Sequence, residues 1–250
     1  MSVSVVLFCF GLAVGSFLNV LALRFDGRWH AGGRSHCPHC KHTLRWFELI
    51  PLVSFIIQGG RCRKCRAKIG FRYPVAELIS AAIFVFVPLY FVSAPWMLSA
   101  VWIFAFELLF LISYIDLRLQ VVPDELTVLL AVAAILETAL AGGWFLHLAG
   151  ALFGAALFEF LVLVTKGRGM GMGDVLLAAP LGFLFGWPNI VFLSALAFVI
   201  GALVGVVLLL GHRKTMKSAV PFVPFLSIAA AFVFFFGDSV LGWYFRIIGI

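Results

Sequence analysis

The sequence predicts an all-α polytopic membrane protein of about eight transmembrane helices, with one small zinc-ribbon-like cytoplasmic loop. Three observations predict it. Hydrophobic residues make up 64% of the 250 and charged residues only 12%, against roughly 25% charged in ordinary soluble domains. Apolar runs of bilayer length, about 20 residues, recur along the chain. Two CxxC pairs, Cys37-Pro38-His39-Cys40 and Cys62-Arg63-Lys64-Cys65, lie between the first two runs.

The spans fall at about 3–23, 75–92, 96–115, 124–141, 144–165, 174–187, 189–210 and 222–243. The sixth is short and ends at Trp187-Pro188, so seven and eight spans both fit. No Lys or Arg precedes the first span, and Arg24 and Arg28 follow it. A cleavable signal peptide carries its charge first, so this helix reads as retained, with its N-terminus outside. Threading from there leaves cytoplasmic loops at 24–73, 116–123, 166–173 and 211–218. Seventeen of the 18 Lys and Arg fall in those loops, including Arg168, Arg213, Lys214 and Lys217, and only Arg246 falls outside. The positive-inside rule supports this threading. The net charge of +7 therefore reads as topology and attraction to anionic lipid head groups, not as nucleic-acid binding. The outside turns are short and apolar, as at Ser93-Ala94-Pro95. No convincing repeat and no low-complexity tract is evident.

The loop at 24–73 carries four of the five cysteines. Two thiolates from each CxxC converge on one tetrahedral ion, so Cys37, Cys40, Cys62 and Cys65 form a candidate zinc site. A reducing cytoplasm favours metal over disulfides. Four unrelated thiols are the bland alternative. His36, His39 and His42 flank the first pair and read as solvated, because four cysteines already complete a tetrahedron. Cys9 reads as a packing residue in the first span.

Charge inside a bilayer is costly, so each acid near a span asks for a reason. Asp116 ends the third span and Asp174 begins the sixth, within Gly171-Met172-Gly173-Asp174. They are 58 positions apart, yet the threading brings both to the cytoplasmic face. Two carboxylates in a partly dry site suit one protonated and one ionised form, the arrangement that activates water in aspartic proteases. Helix capping is the alternative for Asp174, and an interfacial pair with Arg118 is the alternative for Asp116. Asp124 and Glu125 fit helix-start chemistry. Glu107, Glu137 and Glu159 read as packing residues or a polar track, and Glu77 faces the site or Arg72. Gly11, Gly15 and Asn19 share one face of the first helix and suit close helix packing. His147 and His212 receive no role.

These residues, in order, resemble the bacterial type IV prepilin peptidases. The resemblance runs over most of the chain. It covers Gly15-Ser16-Phe17-Leu18-Asn19-Val20, Ser35-His36-Cys37-Pro38-His39-Cys40, Gly60-Arg61-Cys62-Arg63-Lys64-Cys65 and Arg72-Tyr73-Pro74-Val75-Ala76-Glu77. It continues through Ile115-Asp116-Leu117, Val122-Pro123-Asp124, Gly171-Met172-Gly173-Asp174-Val175 and Pro221-Phe222-Val223-Pro224-Phe225. The resemblance implies a multi-pass inner-membrane aspartic endopeptidase with Asp116 and Asp174 as the catalytic pair. Its substrates would be precursors of type IV pilus and type II secretion pseudopilins: a short basic leader followed by a long hydrophobic helix. The cut would come after the leader's Gly at the cytoplasmic boundary, followed by methylation of the new N-terminus from S-adenosylmethionine. The donor's site is not marked by a glycine-rich fingerprint, and Glu77 is a candidate participant. The implied domains are a first transmembrane helix at 1–23, a tetracysteine zinc-binding domain at 24–73 and a transmembrane catalytic domain at 74–250.

Two positions depart from the family pattern. Leu176 stands where the family usually has Lys, and Val223 replaces a Gly. Readings from other classes are an ion- or proton-coupled transporter that uses the glutamates, and a non-catalytic scaffold whose zinc loop binds a partner. A presenilin-like protease is suggested by the GxGD segment alone, and the CxxC loop weakens it.

Overall fold

The computed structural model describes residues 2–30, 32–92, 95–167, 169–211 and 220–248. Arg168, His212, Arg213, Lys214, Lys217 and the Ser93-Ala94 turn lie outside the described residues. Among the described residues there are nine α-helices and no strand beyond two isolated bridges. Eight run to 14 residues or more: α1 (Ser2–Arg24), α3 (Arg72–Tyr90), α4 (Trp96–Leu119), α5 (Asp124–Ala141), α6 (Trp144–Thr165), α7 (Met172–Phe185), α8 (Asn189–Leu210) and α9 (Val223–Ile248). The ninth, α2 (Val53–Ile57), follows a short 3-10 turn at Trp46–Leu49. Among the described residues, six helices are long and apolar enough to cross a membrane by themselves: α1, α3, α4, α6, α8 and α9. α7 is short, and α5 carries Asp124, Glu125 and Glu137.

The chain forms two compact units, Met1–Ser99 and Ala100–Ile250. In the first, α1 packs on α3 through the face predicted for it. Gly11, Gly15 and Asn19 are all buried. A Cβ on Gly11 would meet the Ala81 Cα at 2.7 Å, and one on Gly15 would meet the Glu77 Cα at 2.8 Å. At this spacing the two backbones touch, and Ser80 Oγ donates to the Gly11 carbonyl at 2.8 Å. Small residues permit such close crossings where lipid offers no hydrophobic driving force. α3 begins at Arg72, three residues before the predicted span, because Pro74 is tolerated in a first helical turn.

In the second unit α4 is the most buried of the membrane-length helices. Ile112 and Ile115 are fully enclosed. Trp102 meets the Phe185 ring edge-on and the Phe234 ring at a tilt, joining α4 to α7 and α9. Ser113 and Ser227 share a 2.7 Å hydrogen bond between α4 and α9. α6 crosses α7 where Gly150 and Gly182 meet backbone to backbone. α4 runs on to Leu119, so Asp116 sits within its last turn and not at its end.

Candidate functional site

Two groups of predicted residues are brought together, one in each unit. The first is the tetracysteine loop. The sulfurs of Cys37, Cys40, Cys62 and Cys65 all lie within 4.8 Å of one another, and Cys37 Sγ is 3.8 Å from Cys65 Sγ. A tetrahedron with metal–sulfur arms of about 2.3 Å has edges of about 3.8 Å, so the donor set fits zinc. The two halves are built alike. Cys37 N–H donates to the His42 carbonyl and Lys41 N–H to the Cys37 carbonyl, both at 2.9 Å. Cys62 N–H donates to Ala67 at 2.8 Å and Arg66 N–H to Cys62 at 2.9 Å. Antiparallel bridges close both turns, His36 with Thr43 and Arg61 with Lys68, and Lys41 and Arg66 both adopt positive φ. The second knuckle thus repeats the first at an offset of 25 residues. Residue types alone hide this repeat, because only the cysteines coincide.

Four thiols this close resist ionising together. Hydrogen bonds from the Cys65 and Lys64 amides draw Cys62 down to about 7. At Cys65 the pull of the Ala67 amide is outweighed by desolvation and the neighbouring thiols, which push it up to about 11. A bound dication relieves that repulsion. His36 and His39 are exposed. His42 turns toward Glu48, 3.9 Å away, so the histidines stand apart from the sulfur cluster.

The second group lies in the other unit. Asp116 of α4 and Asp174 of α7 are close enough to act on one another electrostatically. Asp116 is buried, and its Oδ2 accepts the Val223 N–H from the first residue of α9 at 3.2 Å. Asp174 is half-buried at the third position of α7, where its Oδ2 accepts the Gly171 N–H at 3.2 Å. It therefore caps the helix from inside the first turn and not as the N-cap residue. Gly173 lets the α4–α5 connection approach: a Cβ there would lie 2.9 Å from the Val122 Cβ. Three helix ends and one connection thus converge around two carboxylates, each with a backbone donor on one oxygen.

The two departures from the family pattern differ in their surroundings. Val223 is fully buried, but the group it offers Asp116 is its amide, which glycine would offer equally. Leu176 is largely exposed on α7. Asp124 and Glu125 occupy the first turn of α5, as expected.

Other predicted residues do not join either group. Glu77 is buried on α3, where its Oε2 accepts the Leu52 N–H at 2.8 Å. Glu137 faces His147 at 3.8 Å, and His147 Nδ1 donates to the Phe183 carbonyl at 2.6 Å. His147, which received no role from the sequence, therefore bridges α5 and α7. Glu107 is buried, whereas Glu159 is exposed on α6. Sequence reasoning missed the Val223 and Leu52 amides, since backbone donors leave no mark in residue type.

Fold and site together define a polytopic membrane protein with a tetracysteine module and a carboxylate pair. Residues 9–91 match the Bacterial Peptidase A24 N-terminal domain, and residues 102–206 match the Type IV leader peptidase family. A Prepilin leader peptidase/N-methyltransferase of Aeromonas hydrophila is 34% identical over 95% of this chain and 92% of its own length. Proteins of the same name from Pseudomonas aeruginosa PAO1 and Bacillus subtilis 168 are 34% and 31% identical, each over 96% of this chain. They are covered over 92% and 97% of their own lengths. No solved structure matches. The chain belongs to the bacterial prepilin leader peptidase family.

Proposed function

We propose that this protein is an aspartic endopeptidase that removes the leader of type IV prepilins and pseudopilins after its Gly, and then N-methylates the new first residue from S-adenosylmethionine. The observation that supports the proteolytic half is that Asp116, in the last turn of α4, and Asp174, in the first turn of α7, lie within electrostatic reach of one another although 58 positions apart in sequence. The activities for which its relatives are named support both halves.

In this mechanism one carboxylate takes a proton from a water molecule as that water attacks the scissile carbonyl. The other, carrying a proton, donates it to the carbonyl oxygen. Collapse of the tetrahedral species breaks the C–N bond, and the leaving amine takes up a proton. The Val223 and Gly171 amides hold one oxygen of each carboxylate, leaving the second oxygens for water and substrate. The distribution of 17 of the 18 Lys and Arg supports a cytoplasmic site in the inner membrane, with the N-terminus outside.

Residues 24–73 act as the zinc module between a first transmembrane helix at 1–23 and a catalytic domain at 74–250. Cys37, Cys40, Cys62 and Cys65 hold a structural zinc ion. For the methyl donor, Glu77 is the candidate participant, acting through its hold on Leu52.

The test is cleavage of a purified prepilin in detergent, read by mass spectrometry with and without S-adenosylmethionine. Wild type cuts after the leader Gly and adds one methyl mass when the donor is present. Asp116→Asn and Asp174→Asn each abolish the cut while the protein stays folded and keeps its zinc. Full cleavage by either Asn variant sinks the dyad, and failure of folded wild type across several precursors favours the scaffold reading.

A further inference from the structure

We propose that the segment Trp46–Ile57 is an interfacial element, seated in the headgroup–acyl boundary of the bilayer that α1 and α3 cross and drawn there by anionic lipid. The segment reads WFELIPLVSFII, with one acid. That acid, Glu48, turns inward: it is buried and accepts the Arg45 N–H at 2.8 Å. The apolar side chains turn outward. Trp46 is 78% exposed, Ile56 73%, Ile57 79% and the neighbouring Phe71 76%. α2 buries none of its residues. An apolar surface this continuous marks a contact face, and two further observations say what covers it.

The first is depth. The Leu52 amide is held by Glu77, the sixth residue of α3. At about 1.5 Å per residue, Glu77 lies roughly 7–8 Å along the helix from Arg72. The Phe55 ring meets the Phe71 ring edge-on at 5.6 Å, fixing α2 beside the same helix start. The segment therefore lies level with the first turns of a membrane span, where interfacial helices insert to about 5–10 Å.

The second is charge. Residues 24–73 hold eleven Lys and Arg against two acids, Asp26 and Glu48. Arg61, Arg63, Lys64, Arg66 and Lys68 are all exposed. An apolar face beside exposed cations is the signature of binding to anionic lipid, and tryptophan prefers this layer. The same charge repels a basic peptide.

The test uses the full-length protein in nanodiscs of phosphatidylcholine, with and without phosphatidylglycerol. Emission of wild type minus Trp46→Phe isolates Trp46. Lipids brominated near the top of the acyl chain should quench that difference signal, and aqueous iodide should not. Phosphatidylglycerol should deepen the bromine quenching. Hydrogen exchange of amides 50–57 supplies a readout without substitution, and protection should rise with phosphatidylglycerol. Ile56→Asp with Ile57→Asp should restore iodide access while zinc content holds. Iodide quenching without bromine quenching in both lipid mixtures overturns the proposal. So does shielding that arises only when a prepilin is added, which would assign the face to the substrate's apolar helix.

Discussion

The tetracysteine loop and the helical unit from Ala100 onward solve the same problem by opposite means. Between Asp26 and Phe71, the buried residues among those described are Cys37, Glu48 and Cys62. That is no hydrophobic core, and a segment of this size without one depends on a staple. The helical unit instead encloses Ile112, Ile115, Phe158, Leu181 and Leu226 almost completely, and its helices touch through glycine. With the proposed zinc in place, the loop's order hangs on one coordination centre, and the helical unit's on distributed packing. Insults to one should leave the other standing.

The largest test of that contrast is metal removal. Structural zinc in small modules is worth about 10–16 kcal/mol of apparent binding energy. Cys37→Ser with Cys62→Ser should release the metal and bring amides 35–70 to the exchange rate of an unfolded chain, with helices α4 to α9 still protected. Retained protection in the loop after metal loss, seen by exchange mass spectrometry, would contradict the contrast.

Next comes the Val223 amide. Val223 is the first residue of α9, a position that accepts proline. Val223→Pro removes the N–H that Asp116 Oδ2 accepts, whereas Val223→Ala keeps it. Hydrogen bonds to charged groups are worth about 1.5–3 kcal/mol, so cleavage by the Pro variant should fall roughly 10- to 100-fold relative to Ala. Equal rates in the two variants would remove this amide from the site.

Third is the α6–α7 crossing. Gly150→Ala drives a methyl into the Gly182 carbonyl and should cost about 1–3 kcal/mol. The thermal midpoint falls and zinc content is unchanged. Gly205→Ala on α8 meets open space and is the control. The smallest effect is expected at the knuckles. Lys41 and Arg66 sit at φ 57° and 59°, a region that costs L-residues roughly 1–2 kcal/mol, partly offset by glycine's own entropy. Lys41→Gly should raise slightly the chelator concentration needed to strip the metal. A lower requirement would show that the Lys side chain matters more than its backbone.

The sequence made the spans legible because apolar length is a global signal that short-range detail does not disturb. The cysteines were legible because few other chemistries need two CxxC pairs. Helix ends were less so. Arg72 and Tyr73 are polar enough to read as loop, yet they open α3. Asp116 reads as a terminus because charge follows it, yet α4 continues through it to Leu119. The Glu137–His147 contact could not be read from positions ten apart on two different helices. Val122 against Gly173 depends on the path of a connection, which periodicity does not record.

The order of the cysteines and α3 along the chain also bears on how the protein is made. α1 has no helix to pack on until α3 emerges, and the whole loop is synthesised in between. Cys65 leaves the ribosome before Arg72, so both knuckles are available to a cation before the second span exists. Closing the loop around an ion at that stage shortens the slack between α1 and its future neighbour, which lowers the entropic cost of bringing the two together. On the proposed zinc site, a cell starved of zinc would show the defect first in newly made chains, as a failure to mate the first two spans, while protein assembled earlier carries on.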